Sequence, residues 1–223
     1  MYIHLSIIIQ EEIMKFNRFN ILGLAVLVTV FMSACGGGAK EQSTTEEPTE
    51  STEVAAADYA VDSEASTVAW KGEVAGVYGH NGVIDIKEGT ISGADGKITG
   101  GTIVIDMTTI QPLDSASYSE EHPASDLVGH LSTGDFFLVE EFPTASFTIK
   151  SHEGDKLVGD LTVRGITNEE TVDLSSVSFD GGFSGSGVLV FDRQKYDVKW
   201  EHYVEDYVLS DDIEIKLEIV ASK

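Results

Sequence analysis

The chain has 223 residues, one cysteine and a formal net charge of −24, from 38 acidic against 14 basic residues. That charge argues against nucleic acid, whose binding needs basic surface to neutralise phosphate, and against a second, electrostatic attachment to anionic lipid. A single cysteine leaves no internal disulfide, so the fold must rest on packing and backbone pairing.

Residues 1–13, MYIHLSIIIQEEI, put Glu11 and Glu12 ahead of a head that should be basic, so the true start is expected at Met14. From there Lys15 and Arg18 form a short basic head. Ile21 to Met32 is an uncharged, mostly apolar run, followed by the small residues Ser33 and Ala34 before Cys35. This is the three-part plan of a secretory signal peptide, covering residues 1–34. The run is too short to span a bilayer, which needs about 20 residues.

Cys35 could be a nucleophile, a metal ligand, a core filler or an anchor. Its segment offers no folded surroundings to lower the thiol pKa, which disfavours catalysis. Met32-Ser33-Ala34-Cys35 resembles a bacterial lipobox, with Met32 where Leu is usual. The resemblance implies cleavage before Cys35 and lipidation of its sulfur and its new amino group. Residues 36–57, GGGAKEQSTTEEPTESTEVAAA, carry five Glu and one Lys, with no aromatics. Such a segment buries too little surface to offset its ordering entropy. Residues 35–57 are therefore expected to be a lipidated cysteine on a flexible acidic tether.

Residues 58–223 are long enough for one domain with a sizeable core. Alternation of apolar and polar residues dominates them. Val68, Trp70 and Val74 share one face, as do Ile84 and Ile86, and Ile103 and Ile105. Ala145, Phe147 and Ile149 follow, then Leu157, Leu161 and Val163, then Val172 and Leu174. SGVLVFDR adds another strand, and Ile213, Ile215, Leu217 and Ile219 line one face of the last. About eight strands result, with turns such as Gly93–Gly96 and Asp180–Gly182. One apolar and one polar face throughout implies an all-β, antiparallel fold. Long strands favour an elongated eight-stranded barrel, which has room for one small ligand. The exception is Pro112 to Thr133, where DLVGHL reads as a short helix at a barrel end or side.

No G-x-S-x-G, H-E-x-x-H, C-x-x-C, Walker loop or dinucleotide fingerprint is present. The folded region holds His80, His122, His130, His152 and His202, none in a close ligand pair. No metal site and no cofactor are expected. Asp211-Asp212 and Asp180-Gly181-Gly182 read as solvated turns.

The stretch HLSTGDFFLVEEFPTASFTIK, from His130 to Lys150, resembles the signature of YceI-like proteins. The matching elements are Asp135-Phe136-Phe137, then Phe142-Pro143-Thr144, then GDLTVRGIT from Gly159 to Thr167. STVAWKG, HNGVIDIKEGTI, GGTIVIDMTTI, FDRQKYDVKW and SDDIEIKLEIVA extend the likeness over nearly all of 58–223. A departure lies at Gln111–Leu127, an acidic stretch without the arginine that many members carry before the His-Leu motif. The resemblance implies a lipocalin-like barrel that binds polyisoprenoids.

A prenyl tail needs apolar walls rather than a catalytic motif. Strand parity nominates Trp70, Ile84, Ile105, Phe147, Leu161, Val163, Ile215 and Leu217 as walls, with Phe137 from the Phe-Phe motif. Phe136, Phe137 and Phe142 either touch ligand or plug one end. His80, His130 and Arg193 are candidates for a polar entrance. Lys71, Lys87, Arg164, Arg193, Lys195 and Lys199 are the cations nearest to it, too few to favour a phosphate head over a neutral one. The expected function is to bind, sequester or carry a long apolar isoprenoid of quinone or polyprenyl type, without changing it. Two other readings stand: a metal-assisted enzyme on His80, His130 and Asp192, or a structural or interaction lipoprotein with a filled barrel. The expected location is extracytoplasmic, with the Cys35 acyl chains in the membrane. Gly36 in place of the Asp that marks inner-membrane retention in some bacteria points to the outer membrane. A homodimer is compatible with this reading.

Overall fold

The computed structural model describes residues 56–201 and 207–223. The expected signal peptide, Cys35 and nearly all of the acidic tether lie outside them, as does His202.

Eleven strand segments are found among the described residues: β1 (Ala57–Val61), β2 (Thr67–Val74), β3 (Tyr78–Ile84), β4 (Ile86–Ala94), β5 (Lys97–Asp106), β6 (Gln111–Pro112), β7 (Thr144–Glu153), β8 (Lys156–Val163), β9 (Ile166–Ser178), β10 (Phe183–Asp192) and β11 (Asp212–Ser222). One α-helix, α1 (Ala124–Ser132), lies between β6 and β7. Two pairs of segments are single strands bent at a polar break. β1 and β2 flank Asp62–Ser66, where the Asp62 carboxylate accepts from the Glu64 and Ala65 amides. Ser66 ties that corner to Val220 of β11, donating to its carbonyl and accepting from its amide. β3 and β4 are interrupted only by Asp85, whose amide donates to Thr109 Oγ1.

Counted this way, eight antiparallel strands follow one another around a closed ring. β5, β7, β8, β9, β10 and β11 pair in that order, β4 pairs with β5, and β11 returns to both β1 and β2. The expected eight-stranded antiparallel barrel with a short helix is what forms. Closure leaves no unpaired sheet edge in the ring.

β1, ADYAV, has a single β-branched residue and no apolar–polar alternation, so it does not announce itself in sequence. The expected tether's last residue, Ala57, is its first, and pairs with Gly93 of β4. At the far end of the strand Ala60 pairs with Ser222, which helps to close the ring. The turn between β4 and β5 is Asp95-Gly96, both at positive φ (51° and 74°). That two-residue geometry matches the twist of a hairpin and favours Asp-Gly.

Register puts the inward side chains in rows. Trp70, Ile215, Leu189, Val172 and Leu157 are successive cross-strand partners on β2, β11, β10, β9 and β8. Ile103, Phe147 and Leu161 form a second row on β5, β7 and β8. The outward partners on β11, such as Lys216 and Glu218, are exposed. One end of the barrel is closed by Tyr59, Phe179 and Phe183, with ring centroids 5.5 Å and 5.3 Å apart.

Candidate functional site

The barrel encloses a cavity of about 300 Å³, at the lower end of the usual range for ligand pockets. All nine wall residues expected from sequence line it: Trp70, Ile84, Ile105, Phe137, Phe147, Leu161, Val163, Ile215 and Leu217. Ile84, Leu161 and Val163 are buried, whereas Trp70, Ile105, Phe137, Phe147, Ile215 and Leu217 are only partly so. Inward side chains of a filled barrel would cover one another to the density of a protein interior. Here the surface left over faces the cavity, so the barrel is hollow.

Two glycines give the aromatic walls their room. A Cβ at Gly82, the β3 partner of Trp70, would sit 2.6 Å from the indole ring. A Cβ at Gly159 would sit 2.5 Å from the Phe147 ring. The polar edge of Trp70 is satisfied by the wall itself, with Nε1 donating to the Val83 carbonyl at 3.1 Å.

The other end is covered by α1 and the segment that follows it. Leu127, His130 and Leu131 are spaced i, i+3, i+4 and line the cavity together, as one face of a helix should. Phe136 and Phe137 line it as well. Phe142 does not; it packs over the turn at Gly165. His130 sits edge-on to Phe136 and Trp200, with centroids 5.0 Å away in both cases.

The three expected entrance residues all line the cavity, but in different states. Arg193 is buried, at 3% exposure, and its guanidinium is committed. It donates to the carbonyls of Ser210 (2.9 Å), Val198 (2.6 Å) and Leu209 (3.3 Å) and faces Asp211 at 3.2 Å. Burial lowers its pKa, and Asp211 opposes that shift. It therefore holds the chain between β10 and β11 rather than standing open to a ligand. His130 is packed among aromatics. His80 is at the surface of the cavity, with Nδ1 2.7 Å from Asp114 Oδ2. Burial pushes the Asp114 carboxyl up, but hydrogen bonds from His80, Tyr118 and Ser117 outweigh it and hold the pKa at about 2.

Asp114 and Tyr118 are partners of His80 that sequence reading missed. Their i, i+4 spacing in DSASY is the one local signal, and nothing in the sequence links it to His80. The cations weighed for a head group are largely paired too. Lys71 binds Glu73, Lys195 binds Glu170, Lys199 binds Asp197, and Arg164 donates to backbone carbonyls. Among the described residues no group of three or more His, Cys, Asp or Glu side chains is placed to hold a metal ion. Asp192 caps the turn that follows β10, accepting from the Gln194 amide, so it does not join His80 and His130.

Comparison with known proteins places the chain among its relatives. A YceI-like domain model matches residues 59–221. A UPF0312 protein of Staphylococcus aureus strain USA300 is 41% identical over 86 residues, covering 34% of this chain and 48% of that protein. The chain thus spans about half the length of the curated relatives it matches. BcnA of Burkholderia cenocepacia shares the fold at 18% identity, with a TM-score of 0.52 over 73% of this chain and 99% of that one. A polyisoprenoid binding domain from Saccharophagus degradans is similar at 10% identity, with a TM-score of 0.48 over 74% and 97% of the two chains.

Proposed function

Since this chain belongs to the YceI-like family, we propose that it is a binding protein for a long apolar isoprenoid lipid in the cell envelope. The observation that carries the reading is the hollow interior: a cavity of about 300 Å³ with walls of Ile, Leu, Val, Phe and Trp. Each five-carbon unit buried against such walls contributes roughly 4 kcal/mol gross, at about 0.8 kcal/mol per CH₂. Association and ordering subtract several kcal/mol, so a few units suffice for tight binding. The tail needs no chemistry from the protein, which sequesters or carries it unchanged.

In the same reading Cys35 is acylated and residues 36–56 tether the barrel to the membrane, on the outer-membrane side that Gly36 favours. Two or three acyl chains make such attachment stable. The test is native mass spectrometry of the full-length protein, gently extracted from bacterial membranes, followed by organic extraction. A solvent-released adduct of prenyl type supports the reading and gives the tail length. An apo mass unchanged by added quinones and polyprenyl phosphates would refute it. Stoichiometric zinc or iron in the same sample would revive the enzyme reading.

A further inference from the structure

The cavity meets the surface beside His80. Among the described residues that line it, only Glu73 on β2 and Tyr78 on β3 are exposed, and His80 follows Tyr78 on β3. Asp114 faces His80 through one carboxylate oxygen and Tyr118 through the other, at 2.7 Å and 2.8 Å. The Tyr118 ring stacks on the imidazole, with centroids 5.8 Å apart. An ionised carboxylate can only accept, so Nδ1 carries the proton and donates it to Asp114. In that tautomer of the uncharged ring, Nε2 is the nitrogen left to accept. Nε2 has no hydrogen-bond partner among the described residues.

The charges around this lone pair decide what it can receive. Glu73 lines the mouth and Asp114 stands behind the imidazole. Arg193 is the only lysine or arginine among the described lining residues, and its donors are committed to Ser210, Val198 and Leu209. A phosphate head would face two carboxylates, and the ammonium beside them, Lys71, is already paired with Glu73 at 2.5 Å. A quinone carbonyl would bring a second acceptor to an acceptor. A hydroxyl brings the donor that the site lacks.

We propose that His80, oriented by Asp114 and Tyr118, is the head-group site of the cavity and accepts a hydrogen bond from an uncharged hydroxyl head. Prenyl alcohols and prenyl hydroquinones share that chemistry. The inference rests on the isoprenoid-binding reading and adds the head-group class to it.

The test is titration of the full-length protein by tryptophan fluorescence at about pH 8, where an ordinary imidazole is neutral. Trp70 and Trp200 line the cavity and report its occupancy. One arm compares geranylgeraniol with its methyl ether and its monophosphate. A second compares a geranylgeranyl hydroquinone with its dimethyl ether. The hydroxyl form should bind about three- to tenfold tighter than the ether, the worth of one net hydrogen bond. The phosphate should bind no tighter than the alcohol. The arm with the larger ratio identifies the source of the hydroxyl. His80→Phe should bring the ratio close to one. Asp114→Asn, which frees the tautomer without removing the ring, should lower it and carries the test if His80→Phe does not fold. Equal binding of hydroxyl and ether forms, or tightest binding of the phosphate, overturns the head-group site and leaves the lipid cavity standing. Failure of every probe to bind overturns the isoprenoid reading, and the head-group site with it.

Discussion

The Arg164 guanidinium donates to the Phe136 carbonyl at 2.5 Å, joining the β8–β9 turn to the segment that covers one end of the barrel. The same Nη1 lies 3.2 Å from the Gly134 carbonyl and 2.9 Å from that of Asp197. One side chain thus ties its own turn to two other backbone segments, at Gly134–Phe136 and at Asp197. Arg164 is itself at positive φ (51°), beside Gly165 (72°) in a two-residue hairpin turn.

Arg164→Ala should lower stability by about 1–2 kcal/mol, chiefly because the part-buried Phe136 carbonyl loses a charged donor. Arg164→Lys should recover only part, since an ammonium cannot copy the planar fork. Urea denaturation of the three proteins measures both effects. A loss of less than about 0.5 kcal/mol in the alanine variant would mean water replaces the guanidinium freely.

Filling the cavity separates wall from ligand. Ala145 faces inward on β7 opposite Ile105 and is buried against the cavity. Ala145→Phe places a ring where the ligand tail should lie. Binding of a geranylgeranyl probe should fall at least about tenfold, a change of about 1.4 kcal/mol. Near-native circular dichroism with unchanged binding would put the ligand elsewhere.

Asp114 gives the fold an acid limb. Its carboxyl ionises near pH 2 in the folded protein, below the ordinary value of 3.8. A depressed pKa contributes stability that is complete above the unfolded value and lost as pH falls through the folded one. The contribution of about 2 kcal/mol should therefore disappear between roughly pH 4 and pH 2. Asp114→Asn should be less stable near neutrality and should lack this part of the slope. Parallel slopes for the two proteins would show that Asp114 does not titrate with folding.

Tyr196 is fully buried and donates to Glu170 Oε1 at 3.1 Å, which leaves the phenol in a site that resists ionisation. Burial raises its pKa, and the Glu170 charge adds to the shift. Tyr196→Phe should cost about 1–3 kcal/mol by leaving a buried carboxylate with one partner fewer. Thermal unfolding measures it. Tyr196→Phe with Glu170→Gln should cost less than the sum of the two single changes.

Cys35→Ser tests the anchor. The variant should move from the membrane fraction to the soluble fraction and should lose the mass of the acyl chains. Unchanged partition into detergent would point to attachment by another route.

Strand number, strand parity and the helix at Ala124–Ser132 were legible in the sequence. A two-residue period is a local property, and one face of every strand is apolar whatever surrounds it. Parity alone placed Trp70, Phe147, Ile215 and Leu217 on the inner wall. Whether those walls meet was not legible, because cavity volume is the difference between barrel radius and side-chain size, and neither is local. Nor was β1, whose Ala57–Val61 pairs with β4 and β11 only because both lie beside it once the ring closes. Arg193 read as an entrance cation, but its partners at Val198, Leu209 and Ser210 exist only in the folded loop. His80 and Asp114 meet across 34 residues of chain, and no spacing rule reaches that far. Residue alternation alone sets which faces are apolar. That these faces enclose space, and that His80 comes beside Asp114, follows only from closure of the ring.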